Sequence, residues 1–408
     1  MAHPLTRRSI IAGAAAASLA PRRARAADTT IRIGVLTDMT GTYSALLGPG
    51  SVLAAQMAVD DFTKSHPEIQ VELLAADLLL KPDVALAIAG DWFDNKGVDL
   101  LTDVPLSSAA YAIGDMVKAK DKLAIFNGAA SSQITGEHCG PNHLHWTYDT
   151  WGIPHAIVAA TVQGGGDTWF FIAADYTFGA TLEAETSAVV TKNGGRVLGD
   201  VRHPLNSADF SSYLLQAQAS KAKIIGLANA GGDTINAVKQ ASEFGIVQNG
   251  QQLAALLLFI SDVHALGLQA AHGLKLTESF YWDLNDGTRA FSKRFAARSP
   301  GNAMPTMTQA GDYSAVLHYL KTLVALGGNP HDGAAVVARM KEIPTDDAIF
   351  GKGTIRADGR KIHPAYLFEV KKPSESKGPW DYYKLIAIIP AEEAFRPLSQ
   401  SECPLVKK

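Results

Sequence analysis

The chain has only two cysteines in 408 residues, Cys139 and Cys403. That is too few for a disulfide-dependent scaffold, so an apolar core must carry the fold. Net charge is also small. Lys and Arg total 37 against 40 Asp and Glu, leaving −3, which points neither to nucleic acid nor to an anionic membrane surface. No segment beyond the amino terminus is apolar for the roughly 20 residues that a bilayer core requires, so no membrane span is expected. Catalytic signatures are missing as well. There is no G-x-S-x-G elbow and no H-E-x-x-H pair, and Gly351-Lys352-Gly353-Thr354 lacks the upstream glycine of a phosphate-binding loop. The glycines after the first apolar run do not form G-x-G-x-x-G. Asp38 is a candidate carboxylate with no visible catalytic partner, so the chain does not read as an enzyme, and no cofactor is expected.

What is present begins with an export signal. Arg7 and Arg8 open a basic segment, Ile10 to Ala20 is an alanine-rich apolar run, and Ala24-Arg25-Ala26 places small residues where a signal peptidase reads. The run is too short to anchor the chain. The paired arginines, with Arg22, Arg23 and Arg25, resemble a twin-arginine (Tat) signal, the alternative being an ordinary Sec signal. Residues 1–26 are read as the signal, and the mature chain as starting at Ala27 or Asp28 in the periplasm. In that oxidising compartment Cys139 and Cys403 can bridge, stapling the tail to the middle of the chain. With 47% apolar and 19% charged residues, the remainder suits a globular protein of two domains.

From Ile31 onward, short apolar runs alternate with amphipathic stretches. Ile31 to Leu36 reads as a buried strand, followed by a glycine-rich loop from Gly41 to Gly50. Ser51 is the expected cap of a helix that presents Leu53, Ala54, Met57, Ala58 and Phe62 on one stripe. Further strands are expected at 69–76, 99–102 and 123–126, with helices at 81–95 and from Ser107-Ser108. The pattern restarts after Trp151, with strands at 168–174, 196–203, 222–228 and 253–260. Strand, loop and helix at this spacing predict an α/β fold of two doubly wound parallel-sheet lobes. Crossings between lobes are expected near 146–150, 278–282 and 350. The first lobe is then 27–147 plus 283–350 and the second 148–282 plus 351–395, with 396–408 as a tail.

The opening IRIGVLTDMTGTYSALLGPGSVLAAQMAVDDF, residues 31–62, resembles periplasmic binding proteins of the branched-chain amino-acid (Leu/Ile/Val) type, the receptors of ABC importers. PLSSAA at 105–110, FNGAAS at 126–131, ADYTFGATL at 174–182 and VKQASEFGI at 238–246 extend the likeness over nearly the whole mature chain. The resemblance implies the type I periplasmic-binding fold, in which two lobes on a three-crossover hinge close on a small-molecule ligand. It implies a monomer that meets an inner-membrane permease transiently, or alternatively a sensor input with the same fold.

Open α/β sheets bind ligands beyond the carboxyl ends of their strands, where helix N-termini favour anions. Ser107 and Ser108 follow the third strand, and Ala130 and Ser131 follow the fourth. The resemblance assigns the ligand carboxylate to Ser108, Ala130 and Ser131, although capping alone would also account for these serines. Tyr43 in the first loop, with Tyr176 and Phe178 in the second lobe, is an expected aromatic contact, and Asn229 would complete the site on closure. Trp151 and Trp282 near the crossings fit seam packing or ligand contact. Asp262 falls near the family's acidic position for a ligand ammonium, though it could equally cap a helix. Gly231 stands where relatives carry a tyrosine, which reads as added volume for an aromatic or keto acid rather than leucine, isoleucine or valine. The cluster Glu137, His138, Cys139, His143 and His145 is a metal candidate but lacks structural-zinc spacing, so no metal is expected.

Overall fold

The computed structural model describes residues 30–328 and 330–407. The signal assigned to 1–26 lies outside the described residues. The chain opens with β1 (Ile31–Thr37), α1 (Gly48–Ser65), β2 (Val71–Asp77), α2 (Pro82–Asp94), β3 (Leu100–Asp103), α3 (Ser107–Lys120), β4 (Leu123–Phe126) and β5 (His143–His145). These strands form a parallel sheet in the order β2-β1-β3-β4-β5. The central strands β3 and β4 are buried along their whole length, because helices cover both sheet faces and leave no polar side. α1 starts at Gly48, with Pro49 in its first turn supplying a helix-ready φ. Ser51 is therefore a buried residue within the helix rather than its cap.

The second unit contains α4 (Gly152–Gln163), β6 (Thr168–Ala174), α5 (Thr177–Lys192), β7 (Arg196–His203), α6 (Ser211–Ala219), β8 (Ile224–Ala228), α7 (Gly232–Glu243) and β9 (Gln252–Ala255). Its parallel sheet runs β7-β6-β8-β9. The apolar run expected as a strand at 253–260 divides. β9 ends at Ala255, residues 256–259 leave the sheet, and α8 (Ile260–Leu266) begins. Leu256, Leu257 and Leu258 remain buried without a ladder, so burial rather than strand pairing explains their apolar character.

After α9 (Leu268–Ala271), β10 (Lys275–Glu278) leads to α10 (Asp286–Ala296), α11 (Met307–Ala325) and α12 (Gly333–Glu342), and α11 packs along α1. The chain ends in β11 (Thr345–Asp347), β12 (Gly351–Ile355), β13 (Lys361–Ile362), β14 (Ala365–Val370) and β15 (Tyr383–Ile389). β14 and β15 extend β10 antiparallel, whereas β11, β12 and β13 form their own small sheet. An isolated bridge ties Arg360 to His145 on β5, so this small sheet abuts the first sheet and not the second.

Each sheet reverses its winding once. β2 and β3 flank β1 on opposite sides, and β7 and β8 flank β6. Such reversals open a crevice at the carboxyl ends of the flanked strands. Here the two crevices face each other. A disulfide joins Cys139 to Cys403, with the Cα atoms 5.5 Å apart and a sequence separation of 264. Closing so long a loop restricts the unfolded chain strongly. The double variant Cys139→Ser, Cys403→Ser is expected to lose about 2–4 kcal/mol of stability in denaturant titration; an unchanged midpoint would mean that the link constrains nothing.

Candidate ligand-binding cleft

The loop after β1 is shaped by one carboxylate. The buried Asp38 accepts the Gly41 N–H at 2.7 Å and the Tyr43 N–H at 2.8 Å. This fold presents Tyr43, Leu46 and Leu47 to the crevice. Across from them, β6 ends in a tight turn. The Tyr176 N–H returns to the Ala174 carbonyl at 2.8 Å, and α5 starts at Thr177. Gly179 is obligatory there, since any Cβ would collide with the Ala174 carbonyl. The turn places Tyr176 and Phe178 against the first-lobe loop, and the Tyr43 and Tyr176 hydroxyls meet at 2.8 Å. Burial raises both phenol pKa values above their usual 10, so both stay neutral.

Between these loops lies a small, partly enclosed cavity. Pro105 follows β3, Gly128 and Ala130 follow β4, Ala230 follows β8 and Leu257 follows β9, so four strand ends besides those of the facing loops contribute to it with Tyr148. No lining residue is charged. The N-termini of α3, α5 and α7 all start within three residues of a lining residue, so their partial positive ends supply the local field.

The structure brings four of the sequence-predicted residues into the lining, namely Tyr43, Ala130, Tyr176 and Phe178. The others stand behind it. Ser107 Oγ accepts the Ser131 N–H at 3.2 Å. Ser131 Oγ lies 2.5 Å from the Tyr111 hydroxyl and bonds Thr181 Oγ1 at 3.3 Å. Ser108, in the first turn of α3, is half-buried and outside the lining. Asn229 is fully buried between His203 and Thr234. Asp262 takes the capping role, accepting the Phe259 N–H at 2.9 Å, and is absent from the lining. Gly231 does not add volume. Its φ is +59°, a Cβ would strike the Thr42 carbonyl, and the Gly232 N–H donates to that carbonyl at 3.0 Å. The first-lobe loop fills the space.

Sequence reasoning missed Leu46, Leu47, Pro105, Gly128, Tyr148, Ala230 and Leu257. Most are small or apolar residues, indistinguishable in sequence from core. Trp151 stacks on His155 at 3.7 Å, and the Trp282 indole donates to the Trp380 carbonyl at 2.7 Å, so both pack outside the cavity. In the histidine cluster, Cys139 is disulfide-bonded, His143 Nε2 reaches the Ile134 carbonyl and His145 Nε2 the Ala129 carbonyl.

Comparison with known proteins places this geometry. The sequence matches the family described as periplasmic binding protein over residues 30–378. The chain belongs to that family. A periplasmic binding protein from Burkholderia mallei is 47% identical, with a TM-score of 0.89 over 93% of this chain and 99% of that one. A branched-chain amino-acid ABC transporter periplasmic ligand-binding protein from Burkholderia xenovorans LB400 is 42% identical, with a TM-score of 0.80 over 93% of this chain and 100% of that one. A Rhodopseudomonas palustris solute-binding protein of an ABC transporter, in complex with benzoate, shares the fold at 19% identity, with a TM-score of 0.79 over 92% and 100% of the two chains. The binding protein therefore has the type I two-lobed fold. Among its described residues no helix is long and apolar enough to cross a membrane.

Burial pushes the Asp262 carboxyl from 3.8 up to about 7, while its bond from the Phe259 N–H pulls the other way. A folded-state value above the unfolded one means that the protonated form stabilises the fold. That contribution is complete below about pH 4 and is lost as pH rises through about 7. Asp262→Asn is expected to flatten the loss of stability between about pH 4 and 7 in urea titrations. Ligand affinity should change less than about twofold, because the residue is outside the cavity; a tenfold loss would return Asp262 to the site.

Proposed function

We propose that this binding protein captures a small aromatic carboxylate by closure of its two lobes and delivers it to an ABC permease. The observation that carries the reading is the composition of the cavity. Four aromatic side chains, Tyr43, Tyr148, Tyr176 and Phe178, and a set of small and aliphatic groups enclose it, and no side-chain carboxylate lines it to pair with an amino acid's ammonium. A flat ring gains from stacking and apolar burial there. Its carboxylate would sit toward the Ala130 backbone and the first turn of α3, whose N–H groups lack intrahelical acceptors. Ser107, Ser108 and Ser131 support that corner, Ser107 and Ser131 through the bond between them. The benzoate complex of the R. palustris neighbour is a fold-level parallel to this reading.

In our reading Tyr43, Leu46 and Ala130 hold the ligand in the open form, and Tyr176, Phe178 and Leu257 arrive on closing. The ligand favours the closed population only through contacts made better there. The protein works as a periplasmic monomer after removal of its Tat-type signal.

The test is a thermal-shift series with benzoate, 4-hydroxybenzoate, phenylpyruvate and leucine on residues 28–408. A binder at 100 times its dissociation constant adds about 2.7 kcal/mol, a clear rise in Tm. Stabilisation by the aromatic acids and none by leucine is expected; the reverse would overturn the aromatic reading. Ala130→Leu fills the cavity from its wall and is expected to weaken aromatic-acid binding more than about tenfold in calorimetry, with the thermal transition retained.

A further inference from the structure

The backbone that follows β4 is held in an unusual way. Four successive carbonyls, from Asn127 to Ala130, are each taken by a donor from one short segment, residues 145–150. Thr147 Oγ1 donates to the Asn127 carbonyl at 2.9 Å, the Tyr148 hydroxyl to Gly128 at 2.8 Å, His145 Nε2 to Ala129 at 2.8 Å and the Thr150 N–H to Ala130 at 2.8 Å. The amides of the same loop are divided. Those of Asn127 and Gly128 donate to the Asp103 carbonyl, that of Ser131 to Ser107 Oγ and that of Ser132 to Thr150 Oγ1. The Ala129 and Ala130 N–H groups meet no acceptor among the described residues, and Ala130 lines the cavity.

Segment 145–150 is also where the chain leaves the first sheet for α4. Its far side is laced to the neighbouring turn at 359–363. The His145 N–H donates to the Gly359 carbonyl at 3.0 Å, Arg360 Nη1 to the Tyr148 carbonyl at 3.0 Å, and His363 Nε2 lies 3.2 Å from the Trp146 carbonyl. A change of backbone angle in this crossing must therefore move the four carbonyls, and with them the aim of the two unclaimed N–H groups.

We propose that Thr147 and Tyr148 are positioning residues that couple the lobe crossing to the ligand loop, setting the Ala129–Ala130 amides for an anionic group. This rests on the reading that the Ala130 loop contacts the ligand. Thr147 is fully buried and does not line the cavity, so its hydroxyl can be removed without altering the wall. Losing it leaves the Asn127 carbonyl without that donor in a dry site, which favours a shifted loop.

The experiment compares Thr147→Val, which keeps the shape, with Thr147→Ser, which keeps the hydroxyl. Tyr148→Phe, which keeps the ring beside Phe259, is a second probe of the ladder. Two readouts are taken: the Kd for benzoate by calorimetry, and amide hydrogen exchange of the 127–132 segment in the ligand-free protein. Thr147→Val and Tyr148→Phe are each expected to raise Kd about three- to tenfold, the worth of one neutral hydrogen bond, and to speed exchange at 127–132. Thr147→Ser restores both. Unchanged Kd and exchange in both loss variants, or a Kd rise that serine does not rescue, overturns the coupling. If the wild-type protein binds no benzoate, the ligand reading fails by itself, and the exchange result decides the ladder.

Discussion

A parallel strand that ends inside a protein must hand its last amides and carbonyls to something other than a neighbouring strand. That constraint organises this molecule. Both central sheets point their carboxyl ends at one cleft, so several buried strand ends need partners at once. After β1 the partner is Asp38, which takes two backbone N–H groups and so fixes the Tyr43 loop. After β4 it is the crossing segment, which takes four carbonyls. After β6 it is the chain itself, turning so tightly that only glycine fits at 179. Most polar groups of these loops are used, the Ala129 and Ala130 N–H groups apart, and the cavity is what the loops leave between them.

Charge has been moved out of the cleft and into its supports. Asp103 and Asp312 are buried together beneath the first-lobe wall, and burial first, then their mutual repulsion, raises Asp103 far above the carboxylate range. Asp312 is pushed up to about 7 despite bonds from Thr102 and Asn127. On the crossing side, burial lowers Arg360 to about 10 and Lys361 to about 8. Their cations lie over the rings of Phe395 and Phe350 at 4.1 and 4.0 Å, contacts that partly replace lost hydration. The cavity is then left with neutral phenols and the positive ends of helices.

The lobes touch through few polar bonds. Among the described residues these include the two tyrosine hydroxyls, the Gly232–Thr42 backbone bond, the Ser131 Oγ–Thr181 Oγ1 bond at 3.3 Å and the bond from Ser132 Oγ to Glu185 Oε1 at 2.9 Å, and Arg396 from the tail pairs with that same carboxylate. Each such bond contributes only about 1 kcal/mol net. The disulfide anchors the tail that carries Arg396 to the chain just after the Ala130 loop.

Much of this was legible in the order of residues. Strands 123–126 and 168–174 have the residue limits expected from their apolar runs, because a strand buried on both faces must be continuously apolar, and the edge strand 196–203 also has its expected limits although its residues are alternately exposed. The alternation of strand and helix specified two parallel sheets, glycines marked the loop around Tyr43, and the family resemblance singled out Phe178. Other features needed the tertiary structure. An apolar run cannot reveal where a strand stops, so Leu256 and Leu257 read as sheet while one of them lines the cavity. A buried carboxylate looks the same whether it meets a ligand or caps a helix, and only the fold placed Asp262 at the Phe259 N–H. A glycine suggests space, yet packing decided that the Thr42 carbonyl fills the position at Gly231. Local sequence determines which backbone shapes are allowed; which groups meet across the cleft depends on segments far apart in sequence, and only the folded chain brings those together.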